Sequence, residues 1–419
     1  MKYRTPKVNC PSEMDKANSD GLWREEYSVT TITPIYGGGV EAGVIDSEMP
    51  IRASAIRGQL RFWWRLLATQ KGGESKAVYS AESDLWGAMS ESSDDKSSPV
   101  VVRIIAGEFE TQECRSVYNS KPSLKYAMFS AEDNTEVIKP GFCFKLSVRL
   151  FRKKVMGDDG TLIDEPDEMY LQKKNDVIEA LRWWASFGGI GSRTRRGLGS
   201  VFVHGLDPVI LDEVVSQGMT IRKKQATKNA TEAWNSAITA MYNIRQAGMI
   251  GRNKGSDPGK KNKLGRSFWP EADSIRKLTG RNANGKHKPE HKALISFPRA
   301  AFGMPIIFEI RGEAEPEKTE LTPLGYERMA SPIILKAMAV GDGMYAPIAL
   351  CLPTTHIGYI NVSLKYTGGG RELKDGSNPL EWWPKSENEK NEKAEFIKPM
   401  KNNKSNDPLT AFLNYFDER

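Results

Sequence analysis

The sequence predicts an α+β fold, and three of its segments carry this prediction. Residues Tyr27–Ile35 alternate apolar and polar side chains, which is typical of a first strand. Residues 51–68 have the periodicity of an amphipathic helix. A second helical segment begins near Asp176, a residue type found at N-caps, and leads through a glycine-rich stretch into a closing strand at Ser200–His204. With strands expected between the helices, this order is the split βαβ, or ferredoxin-like (βαββαβ, RRM-like), arrangement.

Three strands are expected between the two helices, at 100–105, 125–129 and 142–151. The segments 90–98 and 153–168 are rich in Asp, Ser, Gly and Lys, so they are expected to be loops.

The helix at 51–68 carries two separate side-chain stripes. The apolar stripe recurs at helical spacing and predicts a packing face; its members are Ile56, Leu60, Trp63 and Leu67. Arg57, Arg61 and Arg65 lie four residues apart with no acidic residue three or four positions away, although a solvated face normally mixes signs. We interpret these three, with Arg52 before them, as a phosphate-binding face. A solvated arginine face is the alternative.

Residues 187–200 form the glycine-rich loop that follows the second helix. Its glycines allow positive φ angles and a close approach to a ligand; they are Gly188, Gly189, Gly191, Gly197 and Gly199. Arg193, Arg195 and Arg196 supply forked donors suited to phosphate oxygens. Neither a P-loop nor G-x-G-x-x-G fits the stretch. A tight helix-to-strand connection is the alternative interpretation.

The positive charge of the chain is concentrated in one region. The net charge is +7, but residues 222–299 hold 18 Lys and Arg against five Asp and Glu, which favours an anionic partner. The tract at 252–292 holds the residues predicted to contact such a partner, Lys260, Lys261, Lys263, Arg266, Trp269, Arg276, Lys277 and Arg281. Trp269 is the predicted base-stacking residue, whereas Trp64, Trp183 and Trp184 are expected in the core.

Beyond the first domain the pattern predicts a helix at 226–247, strands at 293–297, 305–310 and 345–352, and a helix or strand at 333–340. Residues 384–407 are rich in Lys, Glu and Asn, and we expect a solvated insertion there. The apolar segment Leu409–Phe416 is expected to dock on the core.

Composition argues against several classes of protein. Four dispersed cysteines give neither a C-x-x-C zinc pattern nor a disulfide framework, so we expect no metal and a reducing compartment. No apolar run is long enough to span a bilayer, and the N-terminus does not resemble a signal peptide. We therefore expect a cytoplasmic protein with no membrane partner. His204, His287, His291 and His356 have no partner base evident from spacing, so we expect no catalytic site.

The chain resembles the RAMP superfamily of CRISPR proteins from about residue 27 to 352. The resemblance rests on Pro50–Arg65, whose core is Ile-Arg-Gly-Gln-Leu-Arg-Phe-Trp-Trp-Arg, on Gly188–Gly199, and on two downstream segments, Phe297–Pro305 and Arg328–Ile333. Within the superfamily it is most similar to the first-subunit family of the type III-B effector, the Cmr complex.

The resemblance implies two ferredoxin-like RAMP domains in tandem, at 25–206 and 207–419, after a polar N-terminal segment at 1–24. It also implies a non-catalytic subunit, without a cofactor, that holds the 3′ region of the guide RNA, the target RNA, or both, among other Cmr subunits. The family's RNA-binding positions carry over to Arg57, Gly58, Arg61, Arg65 and the glycine-rich loop. The resemblance also implies a basic surface on the second domain, which we place on Lys260–Arg281.

Two alternatives stay open at this point. Some RAMP proteins are ribonucleases that process guide RNA with a histidine, and His204, His287 and His291 are the candidates here. The other alternative is a stand-alone protein that binds single-stranded RNA without a guide.

Overall fold

The structure is a computed structural model that describes residues 22–41, 43–88, 96–119, 121–129, 131–255, 264–282, 284–285, 287–310, 312–354, 360–367 and 379–418. Most of the segment predicted at 1–24 therefore lies outside the described residues, as do Lys260, Lys261, Lys263 and His356.

The described residues of the first half of the chain form nine strands and five α-helices. In chain order they are β1 (Trp23–Thr31), β2 (Ile35–Tyr36), α1 (Ala53–Gln70), α2 (Ser75–Trp86), β3 (Val100–Ala106), β4 (Thr111–Glu113), α3 (Cys114–Tyr118), α4 (Leu124–Ala127), β5 (Glu136–Ile138), β6 (Cys143–Leu150), β7 (Lys154–Met156), β8 (Leu162–Asp164), α5 (Asp167–Phe187) and β9 (Val201–Val203).

The main sheet of this half has the strand order β3-β6-β1-β9, and every neighbouring pair is antiparallel. If these four strands are numbered by their order in the sequence, they stand in the sheet as second, third, first and fourth. Helix α1 follows the first of them in the sequence, and α5 follows the third. This is the order that the split βαβ arrangement requires. The alternation in β1 places Tyr27 and Val29 in the core, opposite Leu146 and Phe144 of β6.

Helices α1 and α5 pack against each other through large aromatic side chains. The Trp63 ring lies 5.9 Å from Trp183 and 6.0 Å from Phe187, and the apolar stripe predicted on α1 is buried. Trp64, Trp183 and Trp184 are also in the core, as expected.

Three local predictions in this half are wrong. The segment 153–168 is not all loop, because Lys154–Met156 and Leu162–Asp164 pair as the strands β7 and β8. The second helix begins at Asp167 rather than Asp176, because Pro166 fixes the preceding backbone and Asp167 and Glu168 suit the positive end of a helix. Residues 125–129 are not a strand; Leu124–Ala127 is a short helix whose Leu124 and Ala127 are buried.

The second half continues the numbering of helices and strands. Its elements are α6 (Leu211–Ser216), β10 (Thr220–Lys223), α7 (Ala230–Gln246), α8 (Glu271–Thr279), β11 (Ile306–Phe308), β12 (Thr319–Pro323), β13 (Ile333–Ala339), β14 (Tyr345–Cys351), β15 (Val362–Tyr366), α9 (Glu387–Ala394), α10 (Lys398–Asn402) and α11 (Pro408–Asp417). No strand forms at 293–297 in the described chain; a short 3-10 turn at Pro298–Phe302 follows instead.

The main sheet of the second half has three strands among the described residues, in the order β10-β14-β13. Helix α7 lies between its first and second strands in sequence, and α11 follows the third. This matches a βαββα part of the ferredoxin-like order, while β11, β12 and β15 form a separate antiparallel sheet. The structure is thus a mixed α and β fold with several small antiparallel sheets, and two complete ferredoxin-like domains in tandem remain a prediction.

Both hydrophobic cores draw residues from both halves of the sequence. The core around α1 and α5 also takes Ile334 and Ile348 from the second half. The core around α7 takes Ile32 and Leu198 from the first. The glycine-rich loop lies between these two cores.

The segment at 384–407 is not a solvated insertion. Its short helices α9 and α10 bury Ala394, Ile397 and Met400, and Trp383 before them donates its indole N–H to the Asn406 carbonyl at 3.0 Å. These few apolar side chains anchor a segment whose composition is otherwise polar. Helix α11 buries most of its side chains, as expected for a docked segment. None of the helices that the structure describes is long and apolar enough to cross a membrane.

Candidate nucleic-acid interface

The arginine face of α1, defined as Arg57, Arg61 and Arg65, lies against α2. Both Arg61 and Arg65 donate to the Glu82 carboxylate, with Arg65 contributing two bonds of 2.7 Å. Arg57 donates instead to the main-chain carbonyl of Trp86, the last residue of α2. The acidic partner that the sequence analysis did not find is 17 to 21 residues away in the chain, on another helix.

One carboxylate serves two guanidinium groups, so the face keeps an excess of positive charge. The Glu82 side chain is 3% exposed, whereas that of Arg65 is 52% exposed. Burial acts to raise the pKa of Glu82, but the hydrogen bonds from Arg65 and Arg61 outweigh it and the pKa is lowered. Burial and the neighbouring charge of Arg61 lower the pKa of Arg57. These charges form a cationic surface that attracts the phosphates of a single-stranded or duplex nucleic acid.

The N-terminal end of α1 continues this surface. Among the described residues no side chain caps the helix, and its first turn holds no acidic residue. Ser54 and Ala55 are exposed at this positive end of the helix, and the Ala55 N–H donates to the Arg52 carbonyl at 3.0 Å. Arg52, just before the helix, is bonded to Asp46 at 3.1 Å.

Gly58 lies in the exposed middle of α1, next to Arg57 and Arg61. A Cβ atom built on it meets nothing within 4 Å, so the fold itself does not need a glycine there. Glycine in a helix interior costs about 1 kcal/mol relative to alanine. The absence of a side chain at Gly58 allows the backbone of a ligand to approach the helix closely.

The glycines of the glycine-rich loop are explained by contacts with the protein itself. A Cβ on Gly189 would lie 2.9 Å from the Gly199 carbonyl, and one on Gly191 would lie 2.7 Å from the Tyr36 carbonyl. Gly197, at φ +80°, packs against the Trp234 indole and the Leu335 carbonyl. The tight-connection interpretation therefore accounts for these glycines without a ligand, and only Gly191 and Ser192 of the loop are exposed rather than buried or half-buried.

Arg195 and Arg196 of the loop are bonded to the protein backbone. Arg195 donates to the Ser331 carbonyl and lies 5.8 Å from the Phe62 ring. Arg196 donates to the Tyr126 carbonyl at 3.2 Å, and burial lowers the pKa of both arginines. Arg193, with φ 61°, lies over the Tyr36 ring at 5.5 Å. The loop arginines thus join parts of the fold, and their guanidinium groups are only partly exposed.

Lys336 is a residue that sequence reasoning missed. It is fully buried on β13 and donates its ammonium to the Gly188 carbonyl at 2.8 Å, so it ties the second half of the chain to the start of the loop. Burial lowers the pKa of Lys336 to about 7. The signal in the sequence is a single lysine inside the apolar run Ile333–Ala339.

The tract at 252–292 does not present the stacking residue predicted there. Trp269 is 1% exposed and donates its indole N–H to the Ile244 carbonyl at 2.9 Å, so the base-stacking prediction is wrong. Arg276 is also buried, between Asp273 at 2.8 Å and Glu315 at 2.9 Å, and is therefore not available to a phosphate. Trp269 and Arg276 are both engaged in tertiary contacts, which local composition does not reveal.

The remaining described cations of this tract are half-buried or exposed. Arg266 lies 3.3 Å from Glu290, and Arg281 lies 3.3 Å from Glu317. Lys277 is half-buried at the end of α8. The RNA contacts of these cations remain predictions, as do those of Lys260, Lys261 and Lys263.

Among the described histidines, one has a carboxylate partner. His287 contacts Glu315 through Nδ1, while His291 bonds to backbone groups at 3.1 and 3.2 Å. Burial acts to raise the pKa of Glu315, but hydrogen bonds from Arg276 and His287 outweigh it, so the pKa is lowered. In the described part of the chain, no three His, Cys, Asp or Glu side chains are grouped to hold a metal ion.

A comparison with known protein families matches the part of the chain that contains α1 and the glycine-rich loop. The family model of the RAMP superfamily matches residues 28–202, and no curated protein sequence matches the chain. A crystal structure of apo Cmr1 from Pyrococcus furiosus is similar at 16% identity and a TM-score of 0.44, over 79% of this chain and 88% of that one.

Two cryo-EM structures of the type III-B Cmr-beta complex bound to cognate target RNA are also similar. Both are 12% identical; one has a TM-score of 0.42 over 80% of this chain and 95% of that one, and the other, with AMPPnP and ssDNA, has 0.39 over 94% and 98%. The family match, together with the strand order of the first sheet, assigns residues 28–202 of this chain to the RAMP superfamily.

Proposed function

We propose that this chain is a non-catalytic RNA-binding subunit of a type III-B CRISPR ribonucleoprotein. The observation that carries the proposal is the arginine face on α1, inside the segment that matches the RAMP superfamily. Its sequence, Ile56-Arg-Gly-Gln-Leu-Arg-Phe-Trp-Trp-Arg65, is also the segment that most resembles the first-subunit family of the Cmr complex.

The chemistry of the face suits recognition of an RNA backbone. In an RNA-guided complex base pairing reads the sequence, so the protein needs mainly contacts to phosphates and sugars. Arginine forks provide such contacts, and the side chains of Arg61 and Arg65 are 33% and 52% exposed, so each can meet a phosphate while it stays bonded to the buried Glu82. The exposed turn at the start of α1 adds the positive end of the helix dipole.

The finer parts of the proposal follow from the resemblance. The guide RNA near its 3′ end, the target RNA, or both, lie along α1, and other Cmr subunits cover further surface of a cytoplasmic complex. The second half of the chain is a second, ferredoxin-like RAMP domain, for which the β10-β14-β13 sheet gives support.

A mobility-shift assay with single-stranded RNA of guide length tests the proposal. We expect the wild-type protein to bind and leave the RNA intact, and the double variant Arg57→Ala, Arg61→Ala to bind at least about tenfold more weakly. Arg182→Ala is the matched control, because Arg182 is also half-buried on a helix and paired with Glu179 and Glu213. Equal affinity of the double variant and the wild type contradicts the proposal.

Metal-independent RNA cleavage is the second candidate function, and the contact of His287 with Glu315 is the observation that favours it. A carboxylate beside a half-exposed imidazole is an arrangement used in general acid–base catalysis. Discrete products that disappear in His287→Ala, but not in His204→Ala, would establish this activity in the same assay. A stand-alone single-strand-binding protein is distinguished by purification without a guide RNA or partner subunits.

A further inference from the structure

An open groove of about 540 Å³ lies where β3 begins and β6 ends, beside the last turn of α2. Phe151 follows the last residue of β6 and donates its backbone N–H to the Pro99 carbonyl at 3.0 Å. Ser98 donates its hydroxyl to the Leu85 carbonyl of α2 at 2.9 Å. The groove is therefore built on sheet and helix ends, and its volume is in the range of small-ligand sites, about 300–1,000 Å³.

The groove combines cations with an exposed aromatic ring. Among the described residues that line it, Asp84 is the one carboxylate, and the cations are Lys96, Arg152, Lys153 and Lys154. Phe151 is 42% exposed, although burial of a phenyl side chain is favourable. A cationic groove with an aromatic platform is the combination that binds single-stranded nucleic acid, through phosphate contacts and base stacking.

Three of the four cations reach carboxylates near the rim of the groove. These pairs are Lys96 with Asp84 at 2.8 Å, Lys154 with Asp164 at 2.9 Å, and Arg152 with Asp167 at 2.5 Å. The ammonium of Lys153 instead donates to the main-chain carbonyl of Asp84 at 2.5 Å, and burial lowers the pKa of this lysine. A phosphate in the groove would give Lys153 an anionic partner.

The groove adjoins the arginine face through α2. Lys153 donates to the Asp84 carbonyl and Arg57 to the Trp86 carbonyl, and both carbonyls belong to the last turn of that helix. Cations at a helix C-terminus are explained by its negative end alone. That explanation does not account for the exposed ring of Phe151, which contributes nothing to capping.

We propose that this groove binds one unpaired nucleotide of the RNA strand that crosses the arginine face. The base stacks on Phe151, and its phosphate contacts Lys153. This inference rests on the proposed function, because it assigns a second contact of the same RNA.

Photocrosslinking tests the assignment on the full chain. Single-stranded RNA containing 5-bromouridine is irradiated with the protein, and the crosslinked residue is identified by mass spectrometry. We expect a crosslink at Phe151, about tenfold weaker binding by Phe151→Ala, and recovery in Phe151→Trp, as base stacking predicts. Lys153→Gln is a second variant and is expected to weaken binding as well.

Phe396→Ala is the matched control, since that ring is 43% exposed and lies 5.8 Å from the Lys292 ammonium on another surface. The inference is overturned if the wild type binds RNA without a crosslink at Phe151 and if Phe151→Ala and Lys153→Gln bind with unchanged affinity. The proposed function is still supported in that case, because the wild type binds RNA. An equal loss in Phe396→Ala overturns the assignment to this groove. Absence of RNA binding by the wild-type protein overturns both.

Discussion

Replacing Lys336 by methionine should make the stability of the protein less dependent on pH. Lys336 is fully buried, its ammonium bonds to the Gly188 carbonyl, and burial lowers its pKa from 10.5 to about 7. Between these two pH values the unfolded chain holds a proton on Lys336 that the folded chain has released. The unfolded state thus binds more protons, so the free energy of unfolding rises as the pH rises through this window.

The size of the effect follows from the two pKa values. Each pH unit inside the window changes the free energy of unfolding by about 1.4 kcal/mol, so the wild type should gain about 2 kcal/mol between pH 7.5 and pH 9.0 relative to Lys336→Met. At pH 7.5 the buried lysine costs about 4 kcal/mol, from which the loss of its hydrogen bond, about 1 kcal/mol, must be subtracted. The variant should therefore be the more stable protein near neutral pH.

Urea unfolding at pH 7.5, 8.25 and 9.0 measures this difference directly. Lys223→Met is the matched control, because Lys223 is exposed on β10 of the same sheet. Its pH profile should run parallel to that of the wild type. If the profile of Lys336→Met also runs parallel to the wild type, Lys336 remains charged in the folded protein and the reasoning is refuted.

Three further substitutions separate the fold from the RNA surface. Gly58→Ala should stabilise the protein by about 0.5–1 kcal/mol in thermal unfolding, since an added Cβ meets nothing within 4 Å, while weakening RNA binding; unchanged affinity would remove Gly58 from the interface. Gly197→Ala should destabilise by at least about 2 kcal/mol, because its φ is +80° and the new Cβ would lie 2.7 Å from the Leu335 carbonyl; a neutral effect in urea unfolding would contradict that packing. Trp269→Ala should cost about 3–5 kcal/mol of stability yet leave the RNA affinity of the folded protein unchanged, and a selective loss of affinity would restore Trp269 as a stacking residue.

The sequence predicted those elements whose signals are local. The spacing of Ile56, Leu60 and Trp63 defines the buried stripe of α1, and the alternation around Tyr27 and Val29 defines the core face of β1. Both patterns depend only on the repeat of a helix or a strand, so neighbours along the chain are enough to recognise them. The order of these elements then predicts the topology of the first sheet.

Long-range partners could not be predicted in the same way. Glu82 neutralises part of the arginine face from a different helix, and Glu315 reaches Arg276 across 39 residues. The composition around Trp269 is basic, but its ring packs 6.3 Å from Phe302 in a core that only the folded chain assembles. The strand prediction at 125–129 is wrong for a related reason. The short helix there is stabilised by burial of Leu124 and Ala127 against α7, a contact between distant parts of the chain.

The salt dependence of RNA binding tests the central claim most directly. The dissociation constant of guide-length single-stranded RNA is measured from 50 to 300 mM salt for the wild type and for Arg57→Ala, Arg61→Ala. Each lost phosphate contact should lower the slope of log K against log salt by about 0.7, so we expect the double variant to be about 1.4 less steep. The same slope and affinity for both proteins would show that the arginine face of α1 does not hold RNA, and would contradict the account.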